Sequence, residues 1–462
     1  MKRENEFRYM KLANMLREQI LSGYIRPGQY LLSENELTRH YGLSRSSVRK
    51  ALDQLLDEGL IEKRVGQGTI VPHQLSIPKG GTDTLRILAF TPSYFADYAL
   101  PTIQKQFQAK FPHVEVKILN LPGPSFRDLF ETSRELGFQP DLLFVPDKHG
   151  YELIQELTGS FLPLEPLVSD ALAAVYPKLL RSFSIQNTVL AAPLTFSPVY
   201  LTYNPRMFER FGADQPHAAW TKDEFITAAK RLTRDTDGDG INDTSGFSIP
   251  TALSRWPAVA LRNGVHFRAE QLQTDTLLNT LNFLHDILFR YRVATLASRS
   301  ALNSEAFHLE RTGMVLTTTL EMTYWERTGL PFEPKIAPMP FGTGTSTMLI
   351  ANALVIPDTC QDPELAAQFI RVALDAETQS AFCRNSSFLS VLPSVNEALR
   401  SHEDLQALGV TGEGMDSSYF THELVDDLEL LYEIEREMDM FWCGLESAAS
   451  FAQKICSKIT NH

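Results

Sequence analysis

Residues 9–71 constrain the fold more than any other part of the chain, because turn signals divide them into short segments with different apolar periods. Apolar side chains recur with helical spacing over residues 9–22, and Pro27-Gly28 then marks a turn. Ser33 and Glu36 have the spacing of a capping box, which predicts a second helix that ends near Tyr41. Two helices separated by a turn are therefore expected to begin the chain.

A third helix is predicted after the break at Gly42, with Ser44 as its N-cap. Its apolar face is formed by Val48, Ala51, Leu52, Leu55 and Leu56. Polar and basic side chains occupy the other faces of its first turns, namely Arg45, Ser46, Ser47, Arg49 and Lys50. Residues 61–64 and 69–71 then alternate like two short strands around a glycine-rich tip. This order predicts a winged helix-turn-helix, in which the third helix docks on the others and reaches DNA with its first turns.

The charge distribution also indicates that a nucleic-acid surface would lie at the N-terminal end of the chain. Residues 1–75 carry 12 Lys and Arg against 9 Asp and Glu, a balance of +3. The remainder carries 31 against 47, a balance of −16, and such an acidic body would be repelled by DNA. A small helical bundle whose arginines are merely solvated is the alternative interpretation of residues 9–71.

This segment contains a series of short motifs, among them Ser33-Glu34, Gly42-Leu43-Ser44-Arg45 and Gly66-x-Gly68-Thr69. Residues 9–72 resemble the GntR family of bacterial transcription regulators without a gap. The resemblance implies a double-stranded DNA operator. The predicted DNA-binding residues are Ser33, Arg45, Ser46, Ser47, Arg49, Lys50, Gly66, Gln67 and Gly68. The family usually has an arginine after Ser-Glu, whereas this chain has Asn35, so one phosphate or base contact is expected to differ here.

Composition changes after the hairpin. Residues 73–84 are rich in Pro, Gly, Ser and Thr, which predicts a linker between a domain at 1–72 and a second one at 85–462. Strands are predicted at 85–90, 114–118 and 142–145, and helices at 102–111 and 126–136. This alternation predicts an α/β architecture with a mostly parallel sheet.

An ordered set of landmarks runs through the second domain, including Phe107-x(3)-Phe111-Pro112, Gln139-Pro140-Asp141-Leu142, Arg311-Thr312-Gly313-Met314 and Ala337-Pro338-Met339-Pro340. In this order, residues 85–455 resemble family-1 extracellular solute-binding proteins, the sugar-receptor class of ABC importers. The resemblance implies two α/β lobes that hold a ligand between them. The winged segment stands where secreted members have a signal peptide, so we expect this domain to act as a cytoplasmic sensor.

Sugar recognition uses flat aromatic faces together with carboxylates and amides. Placed on the loops that line the cleft in the resembled family, the predicted ligand-binding residues are Ser93, Tyr94, Asp147, Tyr200, Trp256, Glu321, Tyr324 and Trp325. Core packing is the alternative for each aromatic ring. We expect Trp220 to be structural and Asp141 to cap a turn.

Residues 235–243 read D-x-D-x-D-G-x-x-D, which places oxygens at alternate positions around a glycine turn and suits a structural Ca²⁺ ion. The predicted metal ligands are Asp235, Asp237, Asp239, Ile241 and Asp243. The twelfth position of the loop is Gly246 where the EF-hand pattern has Glu, so the last ligand would come from elsewhere in the chain or be a water molecule. An acidic turn without metal and a regulatory Ca²⁺ switch are the alternatives.

The prediction for the whole chain is a cytoplasmic DNA-binding regulator, dimeric on its operator and controlled by a carbohydrate ligand. No cofactor is required, no membrane segment is expected, and the four distant cysteines are expected to be free thiols. No motif of hydrolase, zinc protease, P-loop or dinucleotide type occurs. A ligand-free dimerisation or protein-interaction module and an enzyme acting on a sugar or cofactor are the alternatives for the second domain.

Overall fold

The computed structural model describes residues 2–21, 25–41, 43–64, 67–75, 83–90, 93–121, 128, 130, 132–133, 139–146, 151–152, 159–297, 305–411, 413–425 and 427–461. These residues form a small N-terminal domain and two α/β lobes. The predicted fold class, a winged helix-turn-helix joined to a two-lobed α/β domain, is confirmed. Among the described residues, no helix combines the length and the apolar character that crossing a membrane requires.

The N-terminal domain, called the winged domain below, contains α1 (Lys2–Leu21), α2 (Glu34–Tyr41), α3 (Arg45–Asp57) and the antiparallel strands β1 (Glu62–Arg64) and β2 (Gly68–Ile70). The Ser44 hydroxyl accepts a hydrogen bond from the Ser47 N–H and caps α3 as predicted. Val48 and Leu52 of α3 are buried in a core shared by the three helices. Leu56, predicted on the same face, is 37% exposed, so the prediction is wrong there: this side chain lies outside the buried stripe.

Packing on the winged domain continues past its predicted boundary. His73 lies against the turn at Gly28, where an added Cβ would come within 2.7 Å of the imidazole ring. The half-buried Leu75 packs against the winged-domain core. The first residues of the predicted linker at 73–84 therefore pack on this domain, and residues 76–82 lie outside the described part of the chain.

The strands that follow are β3 (Asp83–Phe90), β4 (Val114–Leu121), β5 (Leu142–Pro146), β6 (Ser184–Ile185), β7 (Thr188–Val189), β8 (Ala192–Pro198), β9 (Tyr200–Tyr203), β10 (Ser245–Pro250), β11 (Ala294–Ala297), β12 (Thr312–Thr317), β13 (Lys335–Ala337), β14 (Met348–Val355), β15 (Leu389–Ser390) and β16 (Tyr419–Phe420). The helices are α4 (Tyr94–Tyr98), α5 (Leu100–Lys110), α6 (Glu165–Leu172), α7 (Pro177–Ser182), α8 (Pro205–Arg210), α9 (Lys222–Leu232), α10 (Pro257–Arg262), α11 (Thr274–His285), α12 (Glu305–His308), α13 (Thr319–Thr328), α14 (Pro363–Leu374), α15 (Ala376–Cys383), α16 (Pro393–Leu399), α17 (His402–Ala407), α18 (Glu413–Asp416), α19 (Leu428–Trp442) and α20 (Ala448–Asn461). A π-helical turn (Asp286–Arg290) extends α11, and a 3₁₀ turn (Thr421–Glu423) follows β16.

Each lobe has its own sheet. The first lobe has the order β15-β8-β14-β5-β3-β4, with β16 beside β14, and the second has β11-β10-β12-β9-β13. The prediction of a mostly parallel sheet is wrong. Although β3 runs parallel to β4 and β5, β14 runs antiparallel to β5 and β8, and β9 runs antiparallel to β12 and β13. The reason is that these reversed strands arrive from the other lobe rather than through a helical crossover within one sheet.

The chain passes between the lobes by short segments. Only Val199 separates β8 in the first sheet from β9 in the second. The lobes have separate hydrophobic cores, and the C-terminal helices α19 and α20 belong to the core of the second lobe. Two cores joined by short crossings are the arrangement of a hinged pair of lobes. All four cysteines are free thiols.

Candidate functional site

The exposed surface of α3 near its N-terminus carries four of the nine predicted DNA contacts. Arg45, Ser46, Arg49 and Lys50 are exposed there. Ser47 is only 5% exposed, and its hydroxyl lies 2.9 Å from that of Ser44, inside the cap of the helix. Its side chain therefore supports the start of the recognition helix and does not belong to the exposed face.

The two arginines of this surface are held by residues of α2. The Arg45 guanidinium donates to Asn35 Oδ1 through Nε at 2.9 Å, and also through Nη2. The Arg49 Nε donates to Glu34 Oε2 at 2.7 Å, and this ion pair raises the pKa of Arg49. The sequence identified both arginines, but it did not show that α2 supplies their partners.

The remaining predicted DNA contacts lie on other elements. Ser33 is exposed, and its hydroxyl accepts the Glu36 N–H at 3.4 Å in the predicted capping box. Gln67 and Gly68 are exposed at the hairpin, where the Tyr30 hydroxyl donates to Gln67 Oε1 at 3.0 Å. Gly68 has a φ of +113°, a left-handed value that favours glycine. The prediction at Gly66 falls outside the described residues.

A polar and aromatic cluster lies where the two lobes meet. Tyr94, at the start of α4 in the first lobe, stacks on Tyr324 of α13, which follows the last parallel strand of the second lobe. Their ring centroids are 4.7 Å apart and the planes differ by 21°. Burial, with a smaller effect of the negative charge of Glu321, raises the pKa of Tyr94. Two residues predicted to bind ligand are thus brought into contact from opposite lobes.

A buried ion pair lies beside the stacked rings. Glu321 Oε2 is 3.6 Å from Arg255 Nη2, and the two side chains are only 7% and 5% exposed. The hydroxyls of Thr317 and Thr318 donate to the same Glu321 oxygen at 3.0 and 3.1 Å. Burial raises the pKa of Glu321, and the charge of Arg255 only partly opposes this shift. The buried hydroxyl of Tyr200 lies in the field of the same carboxylate.

We call Tyr94, Tyr200, Arg255, Glu321 and Tyr324 the interlobe site. The sequence analysis missed Arg255, because a single arginine in a loop gives no sign of its burial. Ser93 caps α4 by accepting the Ala96 N–H at 3.3 Å. Asp147 falls outside the described residues.

The two tryptophans predicted to contact ligand lie in hydrophobic cores. Trp256 is fully buried and meets Phe267 and Trp442 edge to face in the second lobe. Trp325 is 1% exposed and packs on Phe307. Neither ring presents a face to a ligand in this conformation. Truncating either one would therefore cost stability, on the order of 3–5 kcal/mol, whatever its effect on binding.

Trp220 lies just before α9, where its indole N–H donates to the Pro338 carbonyl at 3.0 Å, which agrees with a structural role. In the acidic loop, Asp235, Asp237 and Asp239 each offer a carboxylate oxygen within 4.8 Å of the others. Asp235 also accepts the N–H groups of Gly238 and Gly240, while Asp243 accepts that of Thr236 at 2.7 Å. Ile241 is exposed, and because its side chain has no ligand atom, only its backbone carbonyl is suited to a metal.

One ion pair joins the winged domain to the first lobe. Arg26, in the turn after α1, donates from Nη2 to Asp141 Oδ1 at 3.3 Å. Asp141 Oδ2 accepts the Arg86 N–H at 2.9 Å and lies 3.5 Å from the Arg86 guanidinium. Asp141 was predicted to cap a turn, but its carboxylate instead binds Arg86 of β3, 55 residues away, and Arg26 of the winged domain.

A basic third helix on a winged domain, followed by two hinged α/β lobes, defines a winged helix-turn-helix domain fused to a solute-binding fold. Residues 8–71 match the bacterial regulatory proteins of the gntR family, and residues 102–408 match the bacterial extracellular solute-binding proteins. The second match covers more than half of the chain. The chain therefore belongs to the bacterial extracellular solute-binding protein family and carries a gntR-family domain at its N-terminal end.

Known proteins resemble the two parts separately. The arabinose metabolism transcriptional repressor of Halalkalibacterium halodurans is 33% identical over 100 residues, which are 21% of this chain and 26% of the repressor. The chain thus spans about a quarter of the length of the curated relatives it matches.

Two solved structures share the fold of the lobes. The ABC substrate-binding protein Lmo0181 from Listeria monocytogenes, in complex with cycloalternan, has a TM-score of 0.66 at 17% identity and covers 82% of this chain and 98% of its own. A solute-binding protein from Thermotoga lettingae bound with alpha-D-tagatose has a TM-score of 0.68 at 16% identity, with 82% and 99% covered.

Proposed function

We propose that this protein is a transcription regulator whose operator binding is controlled by a small polar ligand, a carbohydrate, held at the interlobe site. The observation that carries the proposal is the presence, in one chain, of an exposed basic recognition helix and a polar-aromatic site between two hinged lobes. The solved neighbours named above hold cycloalternan and tagatose, and the repressor named above belongs to arabinose metabolism. These likenesses support a sugar as the ligand class.

The interlobe site has the chemistry that a sugar requires. The rings of Tyr94 and Tyr324 offer apolar faces for C–H groups, and Glu321 and Arg255 offer an acceptor and donors for hydroxyls. The ring centroids are 4.7 Å apart, whereas a sugar ring between two aromatic faces needs roughly 8 Å. Ligand entry between these rings would therefore move the lobes, and that movement is the signal we propose.

The ion pair between Arg26 and Asp141 gives this movement a route to the DNA-binding domain. Asp141 is anchored in the first lobe through Arg86, so displacement of that lobe changes the position or occupancy of the contact with Arg26. Two winged domains on a palindromic operator respond to such a change through their spacing. A coupling of about 1–3 kcal/mol is enough to alter operator occupancy roughly 5–150-fold. The protein would act as a cytoplasmic homodimer without catalytic activity.

A second candidate function is favoured by one feature of the interlobe site. The two tyrosine rings already stack on each other at 4.7 Å, and Glu321 and Arg255 already pair with each other. The lobes would then serve as a ligand-free dimerisation module, and no sugar would bind there.

The experiment that separates these functions is a thermal-shift screen of the full chain against arabinose, tagatose, maltotriose and cycloalternan. A sugar that binds only the folded state raises the melting temperature. At one hundred times its Kd it adds about 2.7 kcal/mol to the free energy of unfolding. A matched screen of Glu321→Gln tests the site, with Glu209→Gln at an exposed position of α8 as control. A shift lost only in Glu321→Gln supports the sensor. No shift with any sugar supports the dimerisation module.

We also propose that the acidic loop binds Ca²⁺ as a structural ion, supported by the converging carboxylates of Asp235, Asp237 and Asp239. The same screen repeated with EDTA and with Ca²⁺ tests this proposal independently of the sugar.

A further inference from the structure

The two arginines at the start of the recognition helix are held in chemically different ways. Arg49 is paired with the carboxylate of Glu34, which compensates its charge. Arg45 is paired with the amide oxygen of Asn35, which accepts two hydrogen bonds and carries no charge. Of these two exposed guanidinium groups, Arg45 therefore keeps the larger attraction for DNA.

The geometry of the second pair decides which face of Arg45 is available. The amide oxygen of Asn35 binds the side-on edge of the guanidinium, which consists of Nε–H and one N–H of Nη2. The end-on edge, formed by Nη1 and the other N–H of Nη2, is left to point away from Asn35. This edge is the pair of parallel donors that matches O6 and N7 of guanine in the major groove.

We infer that Asn35 is a specificity-determining residue that positions the end-on face of Arg45 for a guanine in each operator half-site. This inference rests on the proposed DNA-binding function and assigns the base that one residue reads. Without Asn35, Arg45 would keep its charge and its attraction to phosphates, because neither depends on a fixed orientation. It would lose the fixed orientation on which a base-specific bidentate contact depends.

The test begins with the wild-type full chain, which selects sequences from a pool of random 30-bp duplexes. The selected duplex and its single-base variants are then measured by fluorescence anisotropy with wild type, Arg45→Ala, Asn35→Ala and Asn35→Asp. We expect Arg45→Ala to abolish the preference for one guanine, worth about 5–150-fold for a bidentate contact. Asn35→Ala should lower the same preference at least ~3-fold, and Asn35→Asp, which keeps the accepting oxygen, should restore it with weaker overall binding.

Asn14→Ala is the matched control, because Asn14 Oδ1 also accepts from an arginine, Arg17, but on α1. It should leave every base preference unchanged. An Asn35→Ala variant that keeps the guanine preference, or that weakens all duplexes equally, would overturn the inference and leave DNA binding intact. If the wild type selects no sequence at all, the proposed DNA function itself fails, and the inference fails with it.

Discussion

Replacing Arg26 by Gln should uncouple the winged domain from the two lobes. Arg26 is 26% exposed and meets Asp141, which is 5% exposed, at 3.3 Å. Exposed ion pairs contribute about 0–1 kcal/mol, and removing one partner of a buried pair costs about 3–5 kcal/mol. Asp141 keeps the Arg86 N–H at 2.9 Å after the substitution, so its carboxylate is not left without a donor. We therefore expect a loss of about 1–2 kcal/mol from the interdomain contact, and little loss of overall stability.

The assay is the ratio of operator Kd values with and without the sugar that gives the largest thermal shift. In Arg26→Gln this ratio should move toward one by about 5–30-fold, which is the factor that corresponds to a loss of about 1–2 kcal/mol. The control is Arg17→Gln, since Arg17 is similarly exposed at 23% but pairs with Glu58 inside the winged domain. If Arg26→Gln keeps the wild-type ratio, or if Arg17→Gln changes it as much, the ion pair between Arg26 and Asp141 does not couple the domains.

Three further predictions concern the lobes. Glu321→Gln leaves the buried Arg255 without a charged partner, and should lower the free energy of unfolding by about 3 kcal/mol in urea titrations; a loss below 1 kcal/mol would mean that the pair is not buried in solution. Millimolar Ca²⁺ should raise the melting temperature of wild type but not of Asp237→Asn, and an equal rise in both would place the ion elsewhere. Burial lowers the pKa of His422 to about 4. Between about pH 6.5 and 4, this histidine is therefore protonated in the unfolded chain but neutral in the folded chain. The free energy of unfolding should therefore fall by up to about 3 kcal/mol between pH 6.5 and 4, and His422→Gln should flatten this slope; an unchanged slope would contradict the assignment.

Local signals were sufficient for the winged domain. The capping box at Ser33, the N-cap at Ser44 and the apolar spacing of α3 each act over a few residues, and the structure has helices at those places. The first helix begins at Lys2 rather than near Tyr9, because a charged segment shows no apolar period from which a start could be read. The direction of β9 and β14 could not be read locally, since it depends on which lobe each strand comes from.

The predicted ligand-binding residues were also only partly predictable from local sequence. Tyr94 and Tyr324 were predicted from their loops and do meet, whereas Trp256 and Trp325 have the same residue type and lie in cores. The difference depends on tertiary packing, which a single ring does not reveal in sequence. Ion pairs between residues that are distant in sequence cannot be predicted from local patterns either. Arg26 and its carboxylate partner, 115 residues away, are an example.

In the proposed function, a ligand between the lobes controls DNA binding at the other end of the chain. Its most direct test is the operator Kd of the wild-type full chain, measured by fluorescence anisotropy across a titration of the sugar that raises its melting temperature. We expect the operator Kd to change saturably by at least about 5-fold, with a midpoint equal to the sugar Kd measured in the presence of operator. A sugar that binds and saturates while the operator Kd stays constant would contradict it.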